Sequence, residues 1–478
     1  MQTRVVQGEA GVKEAAEWIR AGWPVAFPTE TVYGLGADAF SAEAASRIFL
    51  AKGRPADNPL IVHVLDVDAV LAVAEPPLPP LAKPLADRFW PGPLTLVLPA
   101  RDAVPAVVRA GLATVAVRCP SHPVARALIA AAGPLAAPSA NRAGRPSPTR
   151  AEDVLEDLGG RIPLILDGGP TWNGVESTVI DISQDPPLLL RPGALPRAAI
   201  EAVTGPLGEP DAGSLRRSPG TRHRHYAPVA PVTWLEEDDP EKVWAWWREH
   251  AAADWALLAP APVVARVGVP WAASLGEGPV EAAQRLFAGL RDLDRFHPAR
   301  IVVAWRSQEG VGEAVRNRLA KAATPESPEA TEAPFLLFVC TGNTCRSPLA
   351  AALWNRLNTG IPAESAGVGA VLGAPAAPEA VAAAKRHGAE LETHRSRPLQ
   401  AVVGTPLWVV VMTRDQARAV VRQRPEWAGR IRLLRELAGE EGEVEDPLGR
   451  GQAAYDILAS QLERWLVAIR HAVAPEDA

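Results

Sequence analysis

The sequence predicts a multidomain protein of the α/β and α+β classes, and three observations carry that expectation. Its 478 residues exceed what one hydrophobic core organises, and length alone implies about three domains. Short β-like runs such as WALLA and ARIVVAW alternate with helical stretches such as PVEAAQRLFAGLRDLDRF, as expected of strands covered by helices. Two breaks divide the chain: AATPESPEATEAP at 322–334, where nothing could pack, and a Gly- and Pro-rich stretch at 208–231 that turns basic and aromatic in SPGTRHRHYAP. The expected division is a first domain over 1–207, a connector over 208–231, a small α/β unit over 232–321, a flexible linker over 322–334 and a last domain over 335–478.

Composition narrows the function classes. With 47% hydrophobic residues, 22% charged residues and a net charge of -6, the chain reads as a soluble globular protein. Its 49 basic residues face 55 acidic ones, so charge does not dictate a nucleic-acid partner, and any RNA contact is expected to be weak and local. Three cysteines, Cys119, Cys340 and Cys345, are too few for a disulfide framework and favour a reducing compartment. The N-terminus has no apolar signal core, and no apolar run approaches the ~18 residues of a spanning helix, so a cytoplasmic location without membrane contact is expected. Cys119 reads as core, with no metal or redox partner nearby, and the Pro-rich run at 75–84 as a stiff surface loop.

The last domain opens with PFLLFVCTGNTCRSPLAAALWNRL: a buried strand, a tight loop from Cys340 to Arg346, and a helix begun by Ser347 and Pro348. Amides at such a helix start, with the helix dipole, favour a bound phosphoryl group and an ionised thiol. Cys340 is the expected nucleophile. Arg346 can offer its planar fork to two phosphoryl oxygens, and Ser347 can donate its hydroxyl to the thiolate. Thr341, Gly342, Asn343, Thr344 and Cys345 complete the loop, Gly342 and Asn343 being suited to unusual backbone angles. A leaving group needs a proton, and Asp446 in VEDPLGRG is the chosen donor.

These residues resemble the motif of the low-molecular-weight protein phosphatases, matched at Val339, Cys340, Gly342, Asn343, Cys345, Arg346, Ser347 and Pro348. The likeness continues through ESAGV at 364–368, HRSRPL at 394–399, VVVMTRDQ at 409–416 and the Asp446-Pro447 pair; Trp408 departs from it, where an acidic residue is common. The resemblance implies a four-stranded parallel sheet, a phosphocysteine intermediate, no cofactor, and phosphorylated proteins as substrates. Thr344 resembles the loop of the protein-arginine phosphatases and implies phosphoarginine, with phosphotyrosine the alternative. Arsenate reduction needs further cysteines, and none follows Cys345. Cys345 reads either as packing or as a partner for Cys340 in a protective transient disulfide.

The first domain carries no GxxxxGK[ST] or GxGxxG fingerprint. Its signal is dispersed: FPTETVYGLGADAF at 27–40, AKGRPADNPLIVHV, FWPGPLTLVLPA, TVAVRCP, APSANRAGRPSPT and DGGPTWNGVESTVIDI, with LLRPG after it. Apolar strands that each end in Ser, Thr, Asn or Arg suit a concave sheet whose strand ends hold a polyanion, for which ATP is the candidate. These segments resemble the threonylcarbamoyl-AMP synthase (Sua5/YrdC) family in its two-domain form, with KxR as Lys52 and Arg54 and SxN as Ser139 and Asn141.

The resemblance implies a YrdC-like twisted sheet with a concave active site, followed by a small Rossmann-like α/β domain. It further implies that L-threonine, bicarbonate and ATP, the last with Mg²⁺, give threonylcarbamoyl-AMP and pyrophosphate, the first step toward a tRNA modification completed by other proteins. By position, Thr31, His63, Arg118 and Ser177 match threonine-binding residues. Arg54, Asn58, Thr114, Ser139, Ser147 and Arg191 match ATP-binding ones, Lys52 is expected to neutralise phosphate, and Ala137 matches a backbone contact. Arg222, His223, His225 and Tyr226 of the connector are expected to close over ATP. The unit at 232–321 shows no catalytic constellation and reads as supporting or regulatory. A rival reading of the first domain is a double-stranded RNA-binding module, since a concave basic surface suits RNA too.

Overall fold

The computed structural model describes residues 2–54, 58–211, 213–218, 226–323, 335–357, 361–402 and 406–473. The chain divides into two compact units, Met1–Pro325 and Glu326–Ala478.

The first unit begins with ten strands: β1 Arg4–Gln7, β2 Val25–Phe27, β3 Gly34–Asp38, β4 Ile61–His63, β5 Leu94–Pro99, β6 Thr114–Arg118, β7 Leu135–Ala137, β8 Leu164–Asp167, β9 Thr178–Asp181 and β10 Leu188–Arg191. They join in one sheet, in the order β1-β8-β2-β3-β7-β4-β6-β5-β9-β10. Parallel and antiparallel pairs are mixed, and the interior strands are mostly apolar and buried because both faces are covered. Register then does functional work. β4 and β6 run parallel with His63 opposite Arg118, and antiparallel β5 sets Thr95 opposite Arg118 on its other side. Polar residues from three separate segments thus form one row at one end of the sheet.

The helix Ala42–Lys52 is fixed at both ends, which is why its last turn is so well placed. The Ser41 hydroxyl accepts from the Ala44 amide at the start, and Gly53 closes the helix in the left-handed region at φ 64. That turn sets Lys52 and Arg54 beside the sheet.

The second fold of this unit has four strands, β11 Val232–Leu235, β12 Trp255–Ala259, β13 Ala272–Ser274 and β14 Arg300–Ala304, all parallel in the order β11-β14-β12-β13. Among its helices, Pro279–Asp294 and Gly312–Ala323 pack on one face. The helix Gly312–Ala323 runs two residues into the stretch expected as linker, with Ala322 buried in this core, because the apolar period continues to that point. Residues 324–334 lie outside the described residues.

The second unit is a parallel sheet of β15 Leu336–Cys340, β16 Ala363–Gly367, β17 Trp408–Val411 and β18 Ile431–Leu433, in the order β16-β15-β17-β18. β15 is central and fully buried. Leu336, Phe338 and Cys340 face one hydrophobic cluster, and Phe335, Leu337 and Val339 face the other, with the period of two that a strand imposes. Trp408, the departure noted in the sequence, opens β17 and packs at the edge of the first cluster.

Among the described residues, no helix is long and apolar enough to cross a membrane, and no group of three or more His, Cys, Asp or Glu could hold a metal ion.

Candidate active sites

The strand ends of the ten-stranded sheet surround a cavity lined by Thr31, His63, Arg118 and Ser177, and also by Arg54, Ser139, Arg191 and Tyr226. These are eight of the positions expected to hold threonine and ATP, drawn from segments up to 195 residues apart (226 minus 31). Ala137 lines it as well. Local geometry explains how each arrives. The Thr29 hydroxyl donates to the Val32 carbonyl at 2.7 Å and folds the turn after β2, which turns Thr31 inward, 2.8 Å from Thr29 between hydroxyl oxygens. Gly193 follows Arg191, and a Cβ there would lie 2.4 Å from the backbone of Ser177 and Thr178; only glycine allows β10 to leave the sheet so close to Ser177. Arg191 therefore reaches back, donating to the Ser177 carbonyl at 3.0 Å. Ser177 and Thr95 share a hydrogen bond of 2.7 Å.

The cavity is rich in positive charge held by buried carboxylates. Arg118 pairs with Glu30 at 2.7 Å, both nearly inaccessible, and the other Glu30 oxygen accepts from the Ser121 amide. Glu176 lines the cavity and accepts from the Ser147 hydroxyl at 2.5 Å and from Arg318 Nε at 2.9 Å. Burial alone would raise the Glu176 carboxyl; Arg318 and Arg191 outweigh it, and the group sits below the ordinary carboxylate value. His63 is pulled down to about 3, first by burial and then by the Arg118 guanidinium, so its imidazole is neutral wherever the protein works.

Several expected contacts take a different form. Lys52 does not line the cavity: its ammonium, nearly inaccessible, donates to the carbonyls of Ser139 and Asn141, and burial with the nearby Arg54 holds its pKa well down. Its donors fix the loop that presents Ser139. Asn141 accepts the Ser139 hydroxyl and bonds the loop carbonyls of Arg142 and Arg145, and Ser147 faces Glu176. Asn58 offers its carbonyl to Arg54. Thr114 opens β6, four residues before Arg118 and so ~13 Å along the strand from it, and is not part of the cavity lining.

Tyr226 was expected in a closing segment; it is 2% exposed, stacked on Phe287 at 5.3 Å, and forms a wall of the cavity. Arg222, His223 and His225 lie outside the described residues. Four functional neighbours escaped the sequence reading: Glu30, Thr95, Glu176 and Arg318. Glu30 and Glu176 stand directly beside Thr31 and Ser177, and that adjacency was the available signal. Arg318 comes from the fold that showed no catalytic pattern. Cys119 is core, as expected, its thiol pointed at the Leu65 carbonyl at 3.1 Å.

In the second unit, one loop supplies nearly the whole site. Cys340 ends β15 and Arg346 begins the next helix, so the intervening residues must turn sharply. Asn343 makes the turn with φ 53 and is fully buried. Its amide nitrogen donates to Ser347 at 3.0 Å and Ser365 at 2.9 Å, its side-chain oxygen accepts from the Arg397 amide, and its carbonyl meets His394. Of the two residues suited to unusual backbone angles, Asn343 takes the left-handed region.

Ser347 Oγ lies 3.0 Å from Cys340 Sγ. Ser347 Oγ accepts from Asn343 and also lies 3.2 Å from the Ala366 carbonyl, so its one proton is shared between that carbonyl and the Cys340 sulfur. Thr341 is bonded by Gln416, and Thr344 rests 3.6 Å from Cys345. Cys345 lies 3.2 Å from the Tyr455 hydroxyl, at home in the core cluster. Arg346 donates to the Val444 carbonyl at 3.0 Å and to Asp446 at 2.5 Å, which brings the expected acid to the loop across a hundred residues.

Comparison with known proteins follows the same partition. Residues 17–193 match a family model described as telomere recombination, and residues 195–324 one described as threonylcarbamoyl-AMP synthase, C-terminal domain. Residues 335–477 match the model for low molecular weight phosphotyrosine protein phosphatase. A threonylcarbamoyl-AMP synthase of Pyrococcus abyssi is 45% identical over 332 residues, covering 65% of this chain and 94% of that protein. One of Bacillus subtilis is also 45% identical, over 322 residues, covering 65% of this chain and 92% of that protein. Among solved structures, that of the P. abyssi protein complexed with L-threonine matches with 43% identity and a TM-score of 0.63, covering 68% of this chain and 98% of that one.

Proposed function

Because the chain belongs to the threonylcarbamoyl-AMP synthase family and carries a low-molecular-weight phosphatase domain behind that enzyme, we propose that it catalyses two reactions on phosphorus. In the first unit, L-threonine, bicarbonate and ATP give threonylcarbamoyl-AMP and pyrophosphate, the first step of a tRNA modification that other proteins finish. The observation that carries this reading is the convergence of Arg54, Arg118 and Arg191 with the Thr31, Ser139 and Ser177 hydroxyls on one cavity.

Arg118, held in place by Glu30, takes the threonine carboxylate as a two-point partner. A relative in the same family is known as a complex with L-threonine, which supports a threonine site here. Thr31 and neutral His63 orient the amino acid. The threonine amine and bicarbonate form a carbamate, one carbamate oxygen attacks the α-phosphorus, and pyrophosphate leaves with the broken P–O bond. No protein nucleophile takes part; the chain supplies proximity and guanidinium charge, and Mg²⁺ arrives with ATP to shield its phosphates.

In the second unit, the Cys340 thiolate attacks a protein phosphoryl group and forms a phosphocysteine. Arg346 leaves Val444 and Asp446 for the phosphoryl oxygens, which frees Asp446 to protonate the departing atom; water then attacks phosphorus with the Asp446 carboxylate as base. Thr344, small and polar in the loop that follows the nucleophile, suits the planar guanidino group of phosphoarginine better than a phenol ring.

Two assays test these readings. Pyrophosphate release from ATP must require both threonine and bicarbonate; release without threonine, or none, contradicts the first. Turnover of phosphoarginine peptides must exceed that of phosphotyrosine peptides in wild type and fall in Thr344→Ile; preference for phosphotyrosine in both contradicts the second.

A further inference from the structure

The fold at residues 232–323 touches the adenylation site through one buried cation. Arg318 is 0% exposed, and its guanidinium meets three parts of the cavity wall. Nε donates to Glu176 at 2.9 Å, Nη1 donates to the Pro192 carbonyl, next to Arg191, at 2.8 Å, and the group lies 5.3 Å from the centre of the Tyr226 ring. Glu176, Arg191 and Tyr226 all line the cavity, whereas Arg318 does not.

We infer that Arg318 is a positioning residue for adenylation: it holds the Glu176 carboxylate against the Ser147 hydroxyl and fixes the Pro192 carbonyl, so that Ser147 and Arg191 meet ATP in one geometry. The inference rests on the adenylation reading above.

Physical economy argues for this role over plain adhesion between the two folds. A buried ion pair gives up solvation on both ions, and apolar residues of similar volume hold an interface as well or better. Around this pair the interface already has such contacts, Tyr226 on Phe287 among them. What a buried guanidinium adds is direction, since its planar fork serves two acceptors at fixed angles and a lysine cannot. Lys321, one turn further along the same helix, is no substitute: burial, with Arg318 and Arg191, holds its ammonium down to about 7, so it loses its charge above neutrality.

The groups facing Glu176 are Arg318 and Lys321 from the helix Gly312–Ala323, Arg191 from β10, and Tyr226 and Ser147. Without Arg318, burial dominates at Glu176, and the carboxyl takes up a proton at a pH where the native one stays ionised. A protonated Glu176 loses the charge that strengthens its bond from the Ser147 hydroxyl and can turn an O–H toward it, so the defect deepens as pH falls and recedes as it rises.

The test is threonine- and bicarbonate-dependent pyrophosphate release by the full chain, with ATP varied across about pH 6 to 9. For Arg318→Met, kcat/KM for ATP is expected to fall about 10- to 100-fold near pH 6 and to recover at the alkaline end. The KM for threonine should stay within about twofold, and Arg318→Lys should not rescue the loss. Glu176→Gln, which mimics the protonated state without titrating and keeps Arg318, should show the same loss at every pH, and it decides the matter should Arg318→Met not fold. A wild-type kcat/KM in either variant, or a pH-independent loss in Arg318→Met that lysine restores, overturns the inference. Absence of threonine-dependent release in the wild type instead overturns the adenylation reading itself.

Discussion

In the proposed reactions the two sites face the same chemical problem, gripping a phosphate, and their residues are assembled in opposite ways. In the second unit, Cys340, Asn343, Arg346 and Ser347 lie within eight consecutive residues, and only Asp446 comes from afar. In the first, Thr31, His63, Arg118, Ser177 and Arg191 sit on five separated segments that only the sheet brings together. A nucleophile must be aimed to a fraction of an ångström, and a short loop on a helix start does this locally. An adenylating site has no nucleophile of its own; it distributes charge over a triphosphate and an amino acid, which takes a surface rather than a loop.

The contrast predicts how each site breaks. Cys340→Ser should abolish phosphatase turnover by at least about a thousandfold, while pyrophosphate release continues unchanged, because the nucleophile has no understudy. Asp446→Asn should slow peptide dephosphorylation by about 10²- to 10⁴-fold, and less with leaving groups that depart without a proton, as a series of aryl phosphates would reveal. Arg118→Met should cost about 10²-fold or more in kcat/KM for threonine, since it removes one of several cations and leaves Glu30 buried without its partner. Replacing Ser347 by Ala should cost about 10- to 100-fold in phosphatase turnover, the range of one hydrogen bond to a charged group.

The smallest effect concerns stability. His63 is held at about 3 against an unfolded value of 6.5, so the folded state binds fewer protons. Its contribution is complete above about pH 6.5 and is lost as pH falls toward 3. Calorimetry of His63→Gln should show a transition of the first unit that varies less over this window than in wild type. An unchanged pH dependence would remove His63 from the account.

Legibility in the sequence followed the same division. The phosphatase loop could be read because strand, loop and helix follow one another, and each residue's task is set by its neighbours. Even there, the sequence named Gly342 and Asn343 together as suited to unusual angles, and the fold shows that Asn343 makes the left-handed turn. In the first unit, positions such as His63 and Arg118 were legible as polar ends of apolar strands, but their register was not, since pairing β4 with β6 and β6 with β5 depends on non-local contacts.

The surroundings of Lys52 were hidden for a related reason: from the sequence a lysine near an anion site suggests phosphate, and only the fold shows its ammonium donating to the Ser139 and Asn141 carbonyls. Glu30 and Glu176 were passed over because a carboxylate is unexpected in a polyanion site; the structure gives them the task of holding arginines. Arg318 could not have been found, since nothing in GEAVRNRLAKAA distinguishes it from the surface arginines of an amphipathic helix.

The central claim is that adenylation and dephosphorylation occupy separate, differently built sites on one chain. Phosphorus NMR of ATP incubated with L-threonine, bicarbonate and the full chain carrying Cys340→Ser tests it most directly. Pyrophosphate is expected together with an equal amount of threonylcarbamoyl-AMP, in which the AMP phosphorus carries the carbamoyl group, and neither when threonine is withheld. Inorganic phosphate and ADP as the products, or loss of the reaction on removing the Cys340 sulfur, would contradict it.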